Sequence, residues 1–168
     1  MPTEREINVF WSYIRRPVDR IVECLDGLRE EDLNWKPLEN ANSLYVLATH
    51  MMGNLEEVVL GVLCGEGIGS RQRDSEFRVA GSSGETAKQR WKELQGRIAS
   101  SLAQLPQDAL DREYDHPRRG KLSGREILLI VVAHAAEHRG QADLTLDLLT
   151  AARGRPPLPK DAFGRVVR

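Results

Sequence analysis

His134 and His138 stand four residues apart in the run Glu126-Ile127-Leu128-Leu129-Ile130-Val131-Val132-Ala133-His134-Ala135-Ala136-Glu137-His138-Arg139-Gly140-Gln141. An i, i+4 spacing stacks two side chains on one helical face, one turn apart. Two imidazoles so placed can grip one divalent metal ion. The alternative is a pair of core histidines, and burying both rings demands partners for four nitrogens. The surrounding face favours the metal. Ile127, Ile130, Val131, His134, His138, Gln141 and Thr145 fall on one stripe that begins aliphatic and turns polar midway. A pure packing face has no reason to do so.

A catalytic metal site commonly uses three protein ligands and keeps one position open. His50 and His116 are the remaining histidines. His50 shares a helical stripe with Ser43, Val46, Leu47, Asn54, Glu57 and Gly61, again aliphatic and then polar. His116 lies between Asp115 and Pro117 and reads as a solvated loop residue. His50 is therefore the preferred third ligand. Asn54, Glu57 and Gln141 are the candidate catalytic or orienting residues, although Asn54 and Glu57 also suit a helix face turning toward solvent. Neutral imidazoles suit zinc, nickel, cobalt, iron or copper, so the donor set leaves the metal open. With no anionic ligand, such a centre would favour hydroxide or thiolate near neutral pH. Gly140 costs helix stability relative to alanine and suggests close approach of another backbone.

His134-Ala135-Ala136-Glu137-His138 also matches the H-x-x-E-H pattern of the inverted zinc peptidases. Those enzymes are much larger and take a distant downstream acid as third ligand. Here the acids that follow before the tail, Asp143 and Asp147, lie on the same helix, so peptidase chemistry is set aside. Glu137 reads as a surface charge or a contact to a ligand histidine.

Four helical stretches must position these residues. The first covers residues 4–29, with Ile7, Phe10, Trp11, Ile14, Val18, Ile21, Val22 and Leu25 in period, and Pro17 kinking it or marking its start. The second covers residues 43–64, capped by Asn42 or Ser43. The third covers residues 84–105, with Ser82 and Glu85 at capping-box spacing and Pro106 after its end. The fourth covers residues 124–153, with Ser123 and Glu126 as a second capping box and Gly154, Pro156 and Pro157 stopping it. No segment shows convincing strand alternation. The long connections over residues 30–42, 65–82 and 106–122 free successive helices from running antiparallel, so a crossover is expected.

The 168 residues suit one domain, residues 1–168, with a Pro- and Arg-rich tail from about 154 packed loosely over the surface. A net charge of −1 and 5% aromatic residues give no footprint for nucleic acid. The apolar runs read as too short to cross a bilayer, so no membrane partner is expected. No charged-then-apolar leader opens the chain, and Cys24 and Cys64 lie within helices, away from any histidine in sequence. Reduced thiols in the cytoplasm are the expectation.

The second-helix approach carries Leu33-Asn34-Trp35-Lys36-Pro37 and Asn42-Ser43-Leu44, and the fourth helix carries His134-Ala135-Ala136-Glu137-His138-Arg139-Gly140-Gln141. With a distant helical His50, this set resembles the DinB-like superfamily, from the first helix to about Leu149. The resemblance implies an all-α four-helix bundle with crossover (up-down-down-up) topology. It further implies a metal bound by His50, His134 and His138 with water completing the shell, and a homodimer. Characterised branches include S-transferases that use a low-molecular-weight thiol such as bacillithiol or mycothiol, and thiol-dependent maleylpyruvate isomerases. The isomerase branch has an appended second domain; none is expected here, so that activity is not the expected one.

The expected function is accordingly metal-dependent S-transfer between a small-molecule thiol and an electrophile. Asn54, Glu57 and Gln141 would orient the pair, and loop arginines would hold a carboxylate. The alternatives are a metal-dependent hydrolase in the same pocket, and a non-enzymatic, stress-related metal-binding or dimerisation module. Arg139 and Asp143, beside Val132 and Ala136, would suit an interface or an ordinary solvated face.

Overall fold

A computed structural model describes residues 2–67, 69 and 71–162. The chain is mostly helical. Helix α1 (Pro2–Glu23) buries Ile7, Ile14, Val18, Ile21 and Val22 as its period predicts. Pro17 sits inside it without ending it. A proline there removes one backbone bond to the residue four earlier, Tyr13, which lies on the solvent face. The helix stops short of residue 29 because the chain turns at Gly27, where φ is +69°, a conformation glycine adopts without strain. One turn of helix follows, α2 (Glu30–Leu33).

Helix α3 (Leu44–Leu55) is capped by Ser43, whose side chain accepts from the Val46 amide. It continues as a π-helical segment, Glu56–Leu63. Wide turns of this kind recur at functional sites. Helix α4 (Arg73–Glu76) is a single turn within the Gly-, Ser- and Arg-rich connection. Helix α5 (Gly84–Ala103) is capped by Ser83, accepting from the Glu85 amide, rather than by Ser82. Helix α6 (Gly124–Ala152) has the expected capping box between Ser123 and Glu126.

Two features depart from the sequence expectations. Strands β1 (Glu113–His116) and β2 (Gly120–Ser123) form an antiparallel hairpin, with Tyr114 opposite Leu122 and His116 opposite Gly120. Four-residue strands are too short to display a convincing alternation. The stretch Leu44–Leu63 is also long and apolar enough to cross a bilayer, contrary to the sequence expectation, but most of it is buried within the fold. Its apolarity serves the core.

Helix α6 packs chiefly on α1 and also on α3, and α5 packs on α1 and α3. Ile14, Ile21, Leu25, Leu47, Met51, Leu55 and Ile98 are fully buried among them. Arg153, just past α6, and Arg155 both pair with the buried Asp32 of α2, at 2.7 and 3.1 Å. Leu158 packs against the core and Lys160 pairs with Asp147. The tail beyond residue 162 lies outside the described residues. Cys24 and Cys64 are free thiols, and burial pushes the Cys64 thiol up to about 12, which keeps it protonated at neutral pH.

Candidate metal centre

His50 projects from α3, and His134 and His138 from one face of α6. The packing of those two helices brings the three rings together, so that one ring nitrogen from each lies within 4.8 Å of the others. The His134 Nε2 is 3.3 Å from His50 Nε2 and 2.8 Å from His138 Nε2. Ring centroids are 4.4–5.2 Å apart.

The opposite nitrogen of every ring meets an oxygen. His50 Nδ1 lies 3.0 Å from Glu76 Oε2, His134 Nδ1 lies 3.2 Å from Asn54 Oδ1, and His138 Nδ1 lies 2.9 Å from Gln141 Oε1. The Gln141 amide nitrogen donates to Glu137 Oε1 at 3.3 Å, which leaves its oxygen for His138. Arg71 Nη2 also comes within 3.4 Å of His50 Nδ1, but Glu76 is the nearer partner there. Facing acceptors require Nδ1–H donors, so each neutral ring carries its lone pair on Nε2.

Three lone pairs therefore converge. An N–H···N bond between His134 and His138 would leave a bare Nδ1 against an oxygen, so it does not relieve the crowding. Protonating His134 or His50 is disfavoured as well. Burial, then repulsion from His138 and His50, pushes His134 down to about 3. Burial also lowers His50, partly offset by its hydrogen bond to Glu76. A cation does relieve it: zinc–nitrogen bonds of about 2.0–2.1 Å in tetrahedral array separate ligand nitrogens by about 3.3 Å. The donor set fits one divalent ion.

Behind His50 lies a chain of charged groups, buried except for Arg118 at its outer end. Arg71 donates to Glu76 twice, at 2.6 and 2.7 Å, and to Glu57 Oε2 at 2.7 Å. Arg118 reaches the same Glu57 with both terminal nitrogens, at 2.6 and 3.2 Å. Burial works to raise the Glu57 pKa, but the bonds from Arg118 and Arg71 overcome it and hold the group below the ordinary carboxylate range. Gly53 makes room for this network, because a Cβ there would collide with Glu76 Oε1. Phe77 stacks on His50 with centroids 4.9 Å apart.

A cavity of about 600 Å³ opens beside the histidines. Val58, Ile130 and Val131 line its apolar wall, and Arg73, Arg118 and Arg119 line another part. The volume suits a small molecule.

Several sequence expectations meet their outcome here. Asn54 and Gln141 touch ligand-candidate histidines. Glu57 does not; it acts through Arg71. His116 is buried on β1 and lines the cavity apart from the trio, instead of standing solvated in a loop. Among the described residues nothing meets a Cβ placed at Gly140, so none of them makes the close approach expected there. Arg139 and Asp143 do not form a plain solvated face, because Asp143 pairs with Arg20 of α1 at 2.7 Å. Glu76, Arg71 and Phe77 were invisible in sequence, since no spacing links that irregular connection to His50.

A family model described as the DinB superfamily matches residues 14–142. No curated protein matches the chain in sequence. Among solved structures, a conserved protein from Enterococcus faecalis is similar at a TM-score of 0.71 and 14% identity, over 86% of this chain and 96% of its own. A DinB-like protein from Bacillus cereus gives 0.67 and 17%, over 92% and 95%. Another from Bacillus subtilis gives 0.63 and 21%, over 92% and 96%. At these identities the likeness concerns the fold.

Proposed function

The chain belongs to the DinB superfamily, and from that premise we propose that it is a metal-dependent S-transferase acting on a low-molecular-weight thiol and an electrophile. His50, His134 and His138 would hold the ion, with zinc or nickel the expected identity, in a four-helix bundle of crossover topology. The observation that carries this reading is the convergence of three Nε2 atoms at the edge of a cavity of about 600 Å³. A purely structural ion would have no use for open space beside its ligands. A divalent cation bound there would supply Lewis acidity, which favours the deprotonated form of a neighbouring thiol or water.

The protein's own groups do the rest. Glu76, Asn54 and Gln141 fix three tautomers and ring orientations, which is how outlying hydrogen bonds hold a donor set in shape. Arg71 and Glu57 in turn hold Glu76 and Arg118. The apolar wall of Val58, Ile130 and Val131 limits water on one side of the reacting groups.

The test has two steps. Protein purified without a polyhistidine tag is assayed for metal, alongside His50→Ala. About one divalent ion per chain, lost in the variant, is expected; a fully loaded variant removes His50 from the centre. The loaded protein is then offered a thiol panel with a model electrophile. Turnover that needs the thiol supports transfer, whereas ester cleavage without thiol replaces this reading with hydrolysis.

A further inference from the structure

The cavity beside the histidines carries positive charge that its neighbours leave unspent. Arg118 is committed: Glu57 accepts from both of its terminal nitrogens, and Arg71 and Glu76 complete a group of two cations and two anions. Arg119 is different. Its backbone amide closes the β1–β2 turn on the His116 carbonyl at 3.3 Å, yet its guanidinium makes no hydrogen bond or ion pair among the described residues. The turn that presents it is fixed. The Arg118 amide donates to His116 Nδ1 at 3.2 Å, and Gly120 takes φ +73°.

Arg73 enters from a separate segment, α4. Its guanidinium carbon lies 5.1 Å from the centroid of Phe77, the ring that stacks on His50. A cation over an aromatic face is held in place while its N–H edges stay free to donate. Among the described residues its one carboxylate partner is Asp74, a distant and solvated 3.9 Å away. Against Arg73 and Arg119 the cavity lining offers a single carboxylate among the described residues, Glu137, already accepting from Gln141. The lining therefore has an excess positive charge before any cation joins the histidines.

We infer that the cavity binds a small molecule bearing an oxyanion, with Arg119 and Arg73 as its charged contacts. The inference rests on the small-molecule reading above and names the class of substrate. Guanidinium groups match the planar, two-oxygen geometry of carboxylates and also bind phosphate oxygens. An anion drawn to these arginines would be held beside the imidazoles, within the one cavity. A neutral ligand of the same size would leave the charge of Arg119 unanswered.

The experiment uses the full chain as purified, with its metal content measured, and isothermal titration at low ionic strength. Succinate and inorganic phosphate are the probes, and succinamide is the neutral control. Succinate binding with phosphate silent identifies a carboxylate site; the reverse identifies a phosphate site. Arg119→Ala should weaken the effective anion tenfold or more. Because Arg119 is exposed at a turn, that variant keeps its fold, checked by circular dichroism. Arg73→Ala should weaken binding further, and wild-type protein stripped of metal with a chelator should retain most of it, which separates arginine binding from an anion sitting on a metal. Binding that is equal in wild type and Arg119→Ala overturns the inference, as does silence from both anions. The titration involves neither thiol nor turnover. Anion binding in a protein inert to thiols sinks only the transferase reading, and thiol turnover without anion binding sinks only this one.

Discussion

Gln141 Oε1 accepts from His138 Nδ1 at 2.9 Å while its own amide nitrogen reaches Glu137 Oε1 at 3.3 Å, so three neighbouring residues of α6 fix which nitrogen of His138 faces His134. Gln141→Leu removes the acceptor and keeps the bulk. His138 can then carry its proton on either nitrogen, and the tautomer that presents a lone pair is no longer favoured. Loss of such an orienting partner weakens metal binding about 10–100-fold. A competition titration against a chelator measures it. Unchanged affinity would mean that packing alone orients the ring.

Glu76 and Gly53 offer two routes to one effect. Glu76→Gln removes the charge that His50 Nδ1 faces, and leaves Arg71 with one fewer carboxylate. Gly53→Ala places a methyl group where the Glu76 carboxylate now lies. Each should lower metal affinity and thermal stability. The double variant should cost clearly less than the sum, because the second change removes something already displaced. Strict additivity of the two in a chelator titration would show that Gly53 matters for another reason.

Protonation gives a test in the metal-free protein. The folded pKa of His134 is about 3, whereas a histidine in the unfolded chain titrates near 6.5. Between those values the unfolded chain binds a proton that the folded one refuses. His134 therefore contributes no acid penalty above about pH 6.5, and stability falls progressively as the pH drops from there toward 3. His50 is shifted in the same direction and adds to the slope. Urea unfolding of metal-free protein across pH 7.5 to 4.5 should show this decline, and His134→Gln should flatten it. A wild-type profile without slope in that range would mean that the rings hydrate or move apart when the metal is gone.

Much of this arrangement was legible in the chain itself. The aliphatic-to-polar change along the stripes of His50 and of His134 and His138 reported two half-sites, because helical period converts spacing directly into direction. Ser123 and Glu126 announced the start of α6 for the same local reason. What remained hidden depends on contacts that cross from irregular segments. Glu76 reaches His50 through a connection with no period, and the hairpin that carries His116 and Arg119 is too short to alternate. The residues that touch the imidazoles from within their own or the facing helix, Gln141 and Asn54, were visible. Those that approach from loops, Glu76, Arg71 and Phe77, were not.

The carboxylate of Asp32 yields an unequal pair of outcomes. It is only 1% exposed, while Arg153 and Arg155, which pair with it, are 32% and 45% exposed. Burial works to raise its pKa, but hydrogen bonds from the two arginines overcome this and hold the group below the ordinary carboxylate value. It therefore stays charged at neutral pH and depends on those partners. Asp32→Asn removes the buried charge and leaves two arginines that water can solvate. Replacing both arginines with alanine leaves the charge buried and unpaired, a situation that costs about 3–5 kcal/mol. The double arginine variant should thus be much less stable than Asp32→Asn in urea unfolding at pH 7. Acid should narrow the gap, because protonating Asp32 removes the charge that the missing arginines would have met. Equal destabilisation at pH 7 would show that water reaches Asp32 freely and that the end of α6 is held by the core contacts of Leu146 and Leu149 instead.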